Sequence, residues 1–399
     1  MSFQVPVGKQ RDFCLHSDAR VNLAHGAVRS AKTVGANVRW LRTIQEASEG
    51  GNLLMVGKTL GALERNVLVP IGRLVGPQNY LYKRSLKRVW IYGRECWVEG
   101  ANDEAAYQKI EGETLEKAYV DEGSLCPESF FNMLTTRLSE PEAQLFLTTN
   151  PGPPAHYLKK RWIDREGELD LRTWWFHLED NPWLDPRYVE ELKRQFGPPS
   201  SLFYQRYIEG LWVMAEGAVF PHFDRSAHVV PRPPDGPMKA LVIGIDYGQT
   251  HPSAFLKLGR WGPAWYTIDE YRESDRTNAR LSKDLGAFIG GKYPSAILVD
   301  PSARGFINQL KADKVERVRG ADNSVLDSIG RISSALATGA LKIVGPACPR
   351  LIEELEGYRW DPKATARGED APVKDKDDLL DSLRYAANYI FKKGGGAIN

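Results

Sequence analysis

Cysteine is scarce in this chain. Only Cys14, Cys96, Cys126 and Cys348 occur, widely scattered and with no Cys-x-x-Cys pair. That argues against a zinc module of paired thiolates and against a disulfide framework, and free thiols fit a reducing compartment. The chain also lacks any apolar run of about 18 residues, the length that a membrane-spanning helix needs. Its first residues carry no apolar signal segment. Nor is there an excess of one charge: 53 Lys+Arg stand against 51 Asp+Glu, a formal net charge of +2. Bulk charge therefore cannot hold a polyanion. A nucleic-acid contact would need a local patch such as Lys83-Arg84 with Lys87-Arg88, and such a patch reads equally as a solvated face. No internal repeat is visible.

What is present is an ordinary globular composition, 42% hydrophobic and 26% charged over 399 residues. That length supports two domains, each with its own core. Apolar runs alternate with helix-period segments in both halves, which predicts α/β architecture twice. Proline and glycine cluster at Pro231-Arg232-Pro233-Pro234-Asp235-Gly236-Pro237. Such a stretch cannot lie inside a helix or sheet, so it marks the junction. The expected division is residues 1–211, a linker at 212–238, and residues 239–399. A second charged stretch, residues 361–376, is expected to be an exposed loop or hairpin before a final helix.

The first half holds a strand, a loop and a helix in the order that phosphate binding requires. Residues 21–24 read as a short buried strand. Gly26-Ala27-Val28-Arg29-Ser30-Ala31-Lys32-Thr33 follows, and then a helical pattern through Trp40, Leu41 and Ile44. This is the setting of a P-loop, whose amides and helix N-terminus hold phosphate oxygens. Lys32 would bridge the β- and γ-phosphates of ATP, and the Thr33 hydroxyl would take Mg²⁺. Ala31 stands where the pattern has glycine, and its Cβ disfavours a positive φ. Gly57-Lys58-Thr59 is a decoy. It follows the apolar run 53–56, but Asn52 occupies the place of the first glycine, so the run is predicted to be an inner strand. Further on, residues 118–120 end in Asp121-Glu122, which suits a Mg²⁺-organising acid and a water-activating acid. Thr148-Thr149-Asn150-Pro151 closes another strand with a polar end placed to sense the γ-phosphate.

The second half gathers acids. Asp246 ends the apolar run 240–245, and Asp300 ends a second run at 296–299. Asp377, Asp378 and Asp381 open an amphipathic helix whose Leu379, Leu380, Leu383, Tyr385 and Ala386 supply a packing face. Residues 377 and 381 are one helical turn apart and share a face. Hydrolysing a phosphodiester needs an activated water and a stabilised leaving oxygen. Two divalent ions about 4 Å apart supply both. Hard Mg²⁺ or Mn²⁺ requires several carboxylates at one point. The ordinary alternative is a set of acids complementing the helix dipole, but so many close acids repel one another unless a cation relieves them. Glu270, in a run expected to be the strand beside that of Asp246, is a further candidate carboxylate.

Taken in order, these motifs resemble the large terminase subunit of tailed bacteriophages, a DNA-packaging motor and nuclease. The resemblance covers nearly the whole chain. Arg29-Ser30-Ala31-Lys32-Thr33 is similar to the family's Arg-Ser-Gly-Lys-Thr loop, and Gln10 sits where the family has an adenine-contacting glutamine. Asp121-Glu122 resembles its Walker B pair, Thr148-Thr149-Asn150-Pro151 its coupling motif, and Glu209-Gly210-Leu211-Trp212 the segment closing the ATPase half. Asp246-Tyr247-Gly248, Asp300-Pro301-Ser302 and Asp381-Ser382-Leu383-Arg384-Tyr385 resemble its three nuclease motifs. Two departures stand out: Ala31 for glycine, and Asp378 where the family usually has histidine.

The resemblance implies an N-terminal P-loop ATPase domain with a mostly parallel sheet and a C-terminal ribonuclease-H-like nuclease domain with a mixed sheet. The implied cofactors are ATP with Mg²⁺, and two Mg²⁺ or Mn²⁺ at the nuclease site, with Asp381 favoured over Asp377 and Asp378 as the helix ligand. Implied partners are double-stranded DNA, a portal protein, a small terminase subunit and further copies in a ring, the isolated chain being a monomer. The implied setting is the host bacterial cytoplasm, with transient attachment to a viral procapsid and no membrane. Arg137 is a candidate finger reaching a neighbour's ATP site, with Arg29 as a competing candidate within the chain. Competing functions are a host DNA-repair helicase-nuclease, which wants further helicase motifs, and a non-hydrolysing assembly scaffold, for which Ala31 is the support.

Overall fold

The computed structural model describes residues 6–248 and 251–391. The chain forms two compact units. The first holds the residues through Asp185 with Tyr204–Met214 and Ala366–Glu369, and the second holds Pro186–Phe203, Ala215–Thr365 and the residues from Asp370 on.

The first unit is built on eight strands: β1 (Val21–Gly26), β2 (Leu53–Gly57), β3 (Tyr80–Lys83), β4 (Arg88–Ile91), β5 (Arg94–Gly100), β6 (Lys117–Val120), β7 (Gln144–Thr149) and β8 (Leu171–Phe176). Their order is β3-β4-β5-β2-β6-β7-β1-β8. From β5 to β8 every pairing is parallel, and β3 and β4 join antiparallel at one edge. β1, β2 and β6 are buried at every position, as strands covered on both faces must be. The period of two then sorts side chains between two cores. Ala24, Met55, Tyr119 and Phe146 face one with Trp40 and Ile44. Leu23, Leu54, Val56, Val120, Leu145 and Leu147 face the other with Phe130 and Phe131. The decoy run is therefore the inner strand β2, and Thr59 caps the short helix after it by accepting from the Ala62 N–H at 3.1 Å.

Three of the four basic-patch residues are ion-paired. Arg84 pairs with Glu64 at 2.8 Å, Lys87 with Glu99 at 3.1 Å and Arg88 with Glu95 at 2.9 Å, while Lys83 lies over the Trp90 ring. All four cysteines are buried, and burial pushes the Cys96, Cys126 and Cys348 thiols up to about 12.

The second unit has seven strands: β9 (Val229–Val230), β10 (Ala240–Asp246), β11 (Ser253–Trp261), β12 (Ala264–Glu273), β13 (Ala296–Val299), β14 (Val318–Gly320) and β15 (Leu341–Val344). The mixed sheet runs β14-β13-β10-β11-β12-β15-β9. β10 lies parallel to β13 and antiparallel to β11. Two expectations are corrected. The Glu270 strand, β12, is separated from β10 by β11. The stretch 215–238 is part of the second unit, and its β9 pairs with β15 through Val229 and Val230. The hairpin alternative for residues 361–376 is met at their base, where Pro372 bridges antiparallel to Trp360, and the segment also carries a short helix, Pro362–Ala366.

Candidate active sites

In the first unit, β6, β7 and β1 are consecutive and parallel, so the segments after their C-terminal ends meet. The loop 27–31 leaves β1 and enters the helix Lys32–Glu46. Ala31 takes φ 63, ψ 19, the left-handed conformation that glycine normally supplies, and Arg29 takes φ 59. Alanine has thus not rerouted the loop. It holds the glycine-like geometry at a local cost of about 1–2 kcal/mol. The Ser30 hydroxyl donates to Ala27 O at 2.8 Å, closing the turn.

Lys32 is buried, and its Nζ donates to Asn150 Oδ1 at 2.6 Å and to Ala27 O at 2.9 Å. Burial pulls its ammonium down to about 8, against the opposing pull of Glu122 and Asp121. An under-compensated buried cation of this kind suits an incoming phosphate. Asp121 accepts from the Thr148 hydroxyl at 2.8 Å, and that hydroxyl accepts from the Glu122 N–H at 3.3 Å. A residue that sequence reasoning missed also meets it: Asn66 Nδ2 donates to Asp121 Oδ2 at 3.3 Å from a π-helical turn, Glu64–Leu68. The loop is braced from behind. Val28 N–H donates to Tyr207 O at 2.8 Å, and Gly210, at φ 72, approaches so closely that a Cβ would lie 2.8 Å from Ala27 N. Asn181 donates to Arg29 O at 2.7 Å, and Gln10 donates to the adjacent Asp180 O at 3.1 Å. Gln10 is thus held beside the segment that fixes the loop. Thr33 lies half-buried in the first turn of the helix that follows the loop. Arg137 lies away from this loop. Its carbonyl accepts from Leu115 N–H at the start of β6, the end opposite Asp121.

In the second unit, Asp246 and Asp300 close the neighbouring strands β10 and β13, and Asp300 N–H donates to Ile245 O at 3.2 Å. The helix Asp378–Ile390 crosses β10 at very short range. Gly244 allows this, because a Cβ there would lie 1.9 Å from Ser382 O. The Ser382 hydroxyl completes the junction by accepting from Asp246 N–H at 3.1 Å and donating to Ala254 O at 3.0 Å. The approach of Gly244 to Ser382 was not legible in the sequence, since close approach has no local signature.

The acids divide by partner. Asp246 is pushed up to about 7 by burial and by Asp381, Asp378 and Asp300, and Tyr385 OH donates to it at 3.4 Å. Asp378 is engaged by Arg272, with both contacts at 2.7 Å. Lys374 Nζ lies 3.1 Å from Asp377 Oδ2 and 2.8 Å from Asp381 Oδ2. Glu270 does not join the cluster. It caps the helix Pro349–Gly357, accepting the Arg350 and Leu351 N–H groups at 3.0 Å each. Glu354 does the same for the last helix, accepting Leu380 N–H at 2.8 Å, and burial pushes its carboxyl up to about 8.

The donor set suits a hard cation. Carboxylates raise one another's proton affinity, and Asp381, 8% exposed, carries an Oδ1 that accepts no hydrogen bond, although the Arg384 guanidinium lies 3.3 Å away as an ion pair. Among the described residues, however, no three acids, histidines or cysteines are drawn together tightly enough to enclose a metal ion.

A mostly parallel nucleotide-binding unit followed by a ribonuclease-H-like unit defines the class of chain. Comparison with known proteins agrees. A family described as phage terminase large subunit matches residues 81–197, and one described as terminase RNaseH-like domain matches residues 243–389. The large terminase of a thermophilic bacteriophage is 32% identical, with a TM-score of 0.89 over 97% of this chain and 99% of that one. The ADP complex of that same terminase gives 33% identity and a TM-score of 0.89 over 96% and 98% of the two chains. The large terminase subunit of Escherichia phage T5 is 27% identical over 229 residues, 54% of this chain and 50% of that protein. The chain thus spans about half the length of that curated relative. It belongs to the phage large terminase family.

Proposed function

We propose that this chain drives double-stranded viral DNA into a procapsid by hydrolysing ATP and cuts concatemeric DNA with a metal-dependent nuclease. The observation that carries this reading is the presence of two distinct sites on one chain. The first joins Lys32, Asp121 and Asn150 at the ends of adjacent parallel strands, and the second joins Asp246, Asp300 and Asp381.

At the first site Lys32 would exchange Asn150 and Ala27 for phosphate oxygens and neutralise the charge that develops on transfer. Asp121, held by Thr148 and Asn66, would orient Mg²⁺ with Thr33, and Glu122 would take a proton from the attacking water. Freed Asn150 would report nucleotide state to β7. Arg137, remote from its own loop, suits a finger offered to the next subunit of a ring. At the second site Asp246, Asp300 and Asp381 would hold divalent metal, with Asp377 beside them. When bound, that metal supplies an activated water and stabilises the leaving oxygen. Tyr385 holds Asp246 in place, and Ser382 fixes the helix against its strand. A portal, a small subunit and the host cytoplasm are the partners and setting that this reading implies.

The test is plasmid cleavage with Mn²⁺ by the natural chain and by Asp300→Ala, alongside DNA-stimulated phosphate release by the natural chain and by Lys32→Ala. Loss of each activity in its own variant supports the reading. Phosphate release that is absent even with DNA would favour a scaffold. Cutting that survives Asp300→Ala would remove this nuclease site.

A further inference from the structure

The acid cluster is neutralised on one side only. Asp377 and Asp381, one helical turn apart, share the ammonium of Lys374, and the buried Arg384 adds a guanidinium 3.3 Å from Asp381 Oδ1. Among the described residues, Asp246 and Asp300 have no cation within ion-pair distance. Asp377 and Asp381 are therefore directly ion-paired, and Asp246, on its strand, feels the same ammonium only at a distance. Lys374 is also the replaceable member. Its side chain is 58% exposed, whereas that of Arg384 is 3% exposed. It rides on the segment before the last helix, tied down by Val373 N–H donating to Arg359 O at 2.9 Å.

Resting on the metal-nuclease reading of this cluster, we propose that Lys374 is its built-in cation. The ammonium occupies the Asp377–Asp381 side, so that the site takes one divalent ion readily and a second only when Lys374 withdraws. This accounts for acids that suit a cation yet do not close around one. Carboxylates drawn to an ammonium adopt its spacing, and each oxygen bonded to Nζ is withheld from a metal. Lys374 is then a positioning residue. It keeps Asp377 and Asp381 in place before loading and sets how many metal ions the site carries.

The experiment is Mn²⁺ titration of the full chain without nucleotide or DNA, followed by electron paramagnetic resonance. The signal of free Mn²⁺ gives affinity and stoichiometry, and spin coupling reports two ions side by side. The natural chain is expected to bind one Mn²⁺ without coupling. Lys374→Met should bind a second roughly tenfold more tightly than the natural chain does, with a coupled spectrum. Lys374→Arg should behave as the natural chain does. Lys376→Met removes the same charge two residues away and should also leave binding unchanged. Equal second-ion affinity in the natural chain and Lys374→Met, or coupled ions in the natural chain at the first equivalents, overturns the assignment of Lys374. Mn²⁺ binding that is unaltered by Asp300→Ala, or absent from every protein, instead removes the metal reading, and the inference with it.

Discussion

The ammonium of Lys32 lies 2.6 Å from Asn150 Oδ1, joining the loop after β1 to the end of β7. The bond ties two motifs that are far apart in sequence, and under the proposed function the lysine would give it up to a nucleotide. Proton uptake follows from it. Burial lowers the Lys32 value from 10.5 to about 8 in the folded chain. Between those values the unfolded chain holds a proton that the fold has released, so this residue's contribution to stability rises as pH climbs through that window. A bound phosphate restores the charge. Nucleotide binding at pH 8 to 9 should therefore take up a fraction of a proton, visible as a dependence of calorimetric heat on buffer ionisation enthalpy. Lys32→Met should abolish that dependence.

Ala31 should respond to removal of its methyl group. At φ 63 it sits where glycine is unstrained. Ala31→Gly should relieve left-handed strain at the expense of some backbone entropy, a net gain of about 0.5–1 kcal/mol. Denaturant melts of the two proteins test this. Phosphate release should rise in the same variant, because the loop reaches its phosphate-binding shape without strain.

Glu270 separates helix capping from chemistry. It accepts two N–H groups at the start of Pro349–Gly357. Glu270→Ala should cost about 1–2 kcal/mol in stability. It should leave Mn²⁺-dependent cutting within a fewfold of the natural rate at a temperature where both proteins are folded. A loss as deep as that of Asp300→Ala would return Glu270 to the catalytic set.

Asp246 makes the metal-free second unit sensitive to pH. Its folded value of about 7 exceeds its ordinary 3.8. Between these the fold binds more protons than the unfolded chain, so stability falls as pH rises through the window, by on the order of a few kcal/mol in total. Thermal melts in chelator from pH 5 to 8 should show the decline. Saturating Mn²⁺ should offset it, and Asp246→Asn should flatten it.

Gly244 has no room for a side chain. Gly244→Ala would place a Cβ against the Ser382 carbonyl, forcing the last helix away from β10. A destabilisation of at least about 2 kcal/mol is expected. Cutting should be lost even where the protein remains folded by circular dichroism, because Asp381 moves with the helix.

Much of this was legible in the sequence because the signals are local. An apolar run ending in Asp places Asp246 and Asp300 on strand ends, and a loop followed by Lys32-Thr33 and a helical period announces a phosphate site. Alternation in runs such as 145–147 separates the two faces of a central strand. What stayed hidden depends on contacts between distant segments. Nothing near Asn66 says that a π-helical turn will point it at Asp121. Glu270 looks like a candidate ligand until the helix whose amides it caps is in place. β12 reads as the neighbour of β10 until β11 is seen between them. The Pro-rich stretch suggested a linker, but pairing of Val229 and Val230 with β15 claims the residues before it. Lys374 was one charge among many until its loop was laid beside the last helix.

The strand order has a further consequence for how the first unit is made. β1 emerges early in synthesis, yet it pairs only with β7 and β8. Until residues 144–176 have left the ribosome, β1 has neither edge satisfied, and its loop has neither Asn150 nor Asp121 beside it. The Lys32–Asn150 hydrogen bond spans more than a hundred residues. Long-range parallel pairing of this kind is slow to nucleate. A nascent chain should therefore pass through a stage in which Val21–Gly26 is an unprotected sticky segment needing shelter, and nucleotide added during refolding should bind only at the last kinetic step.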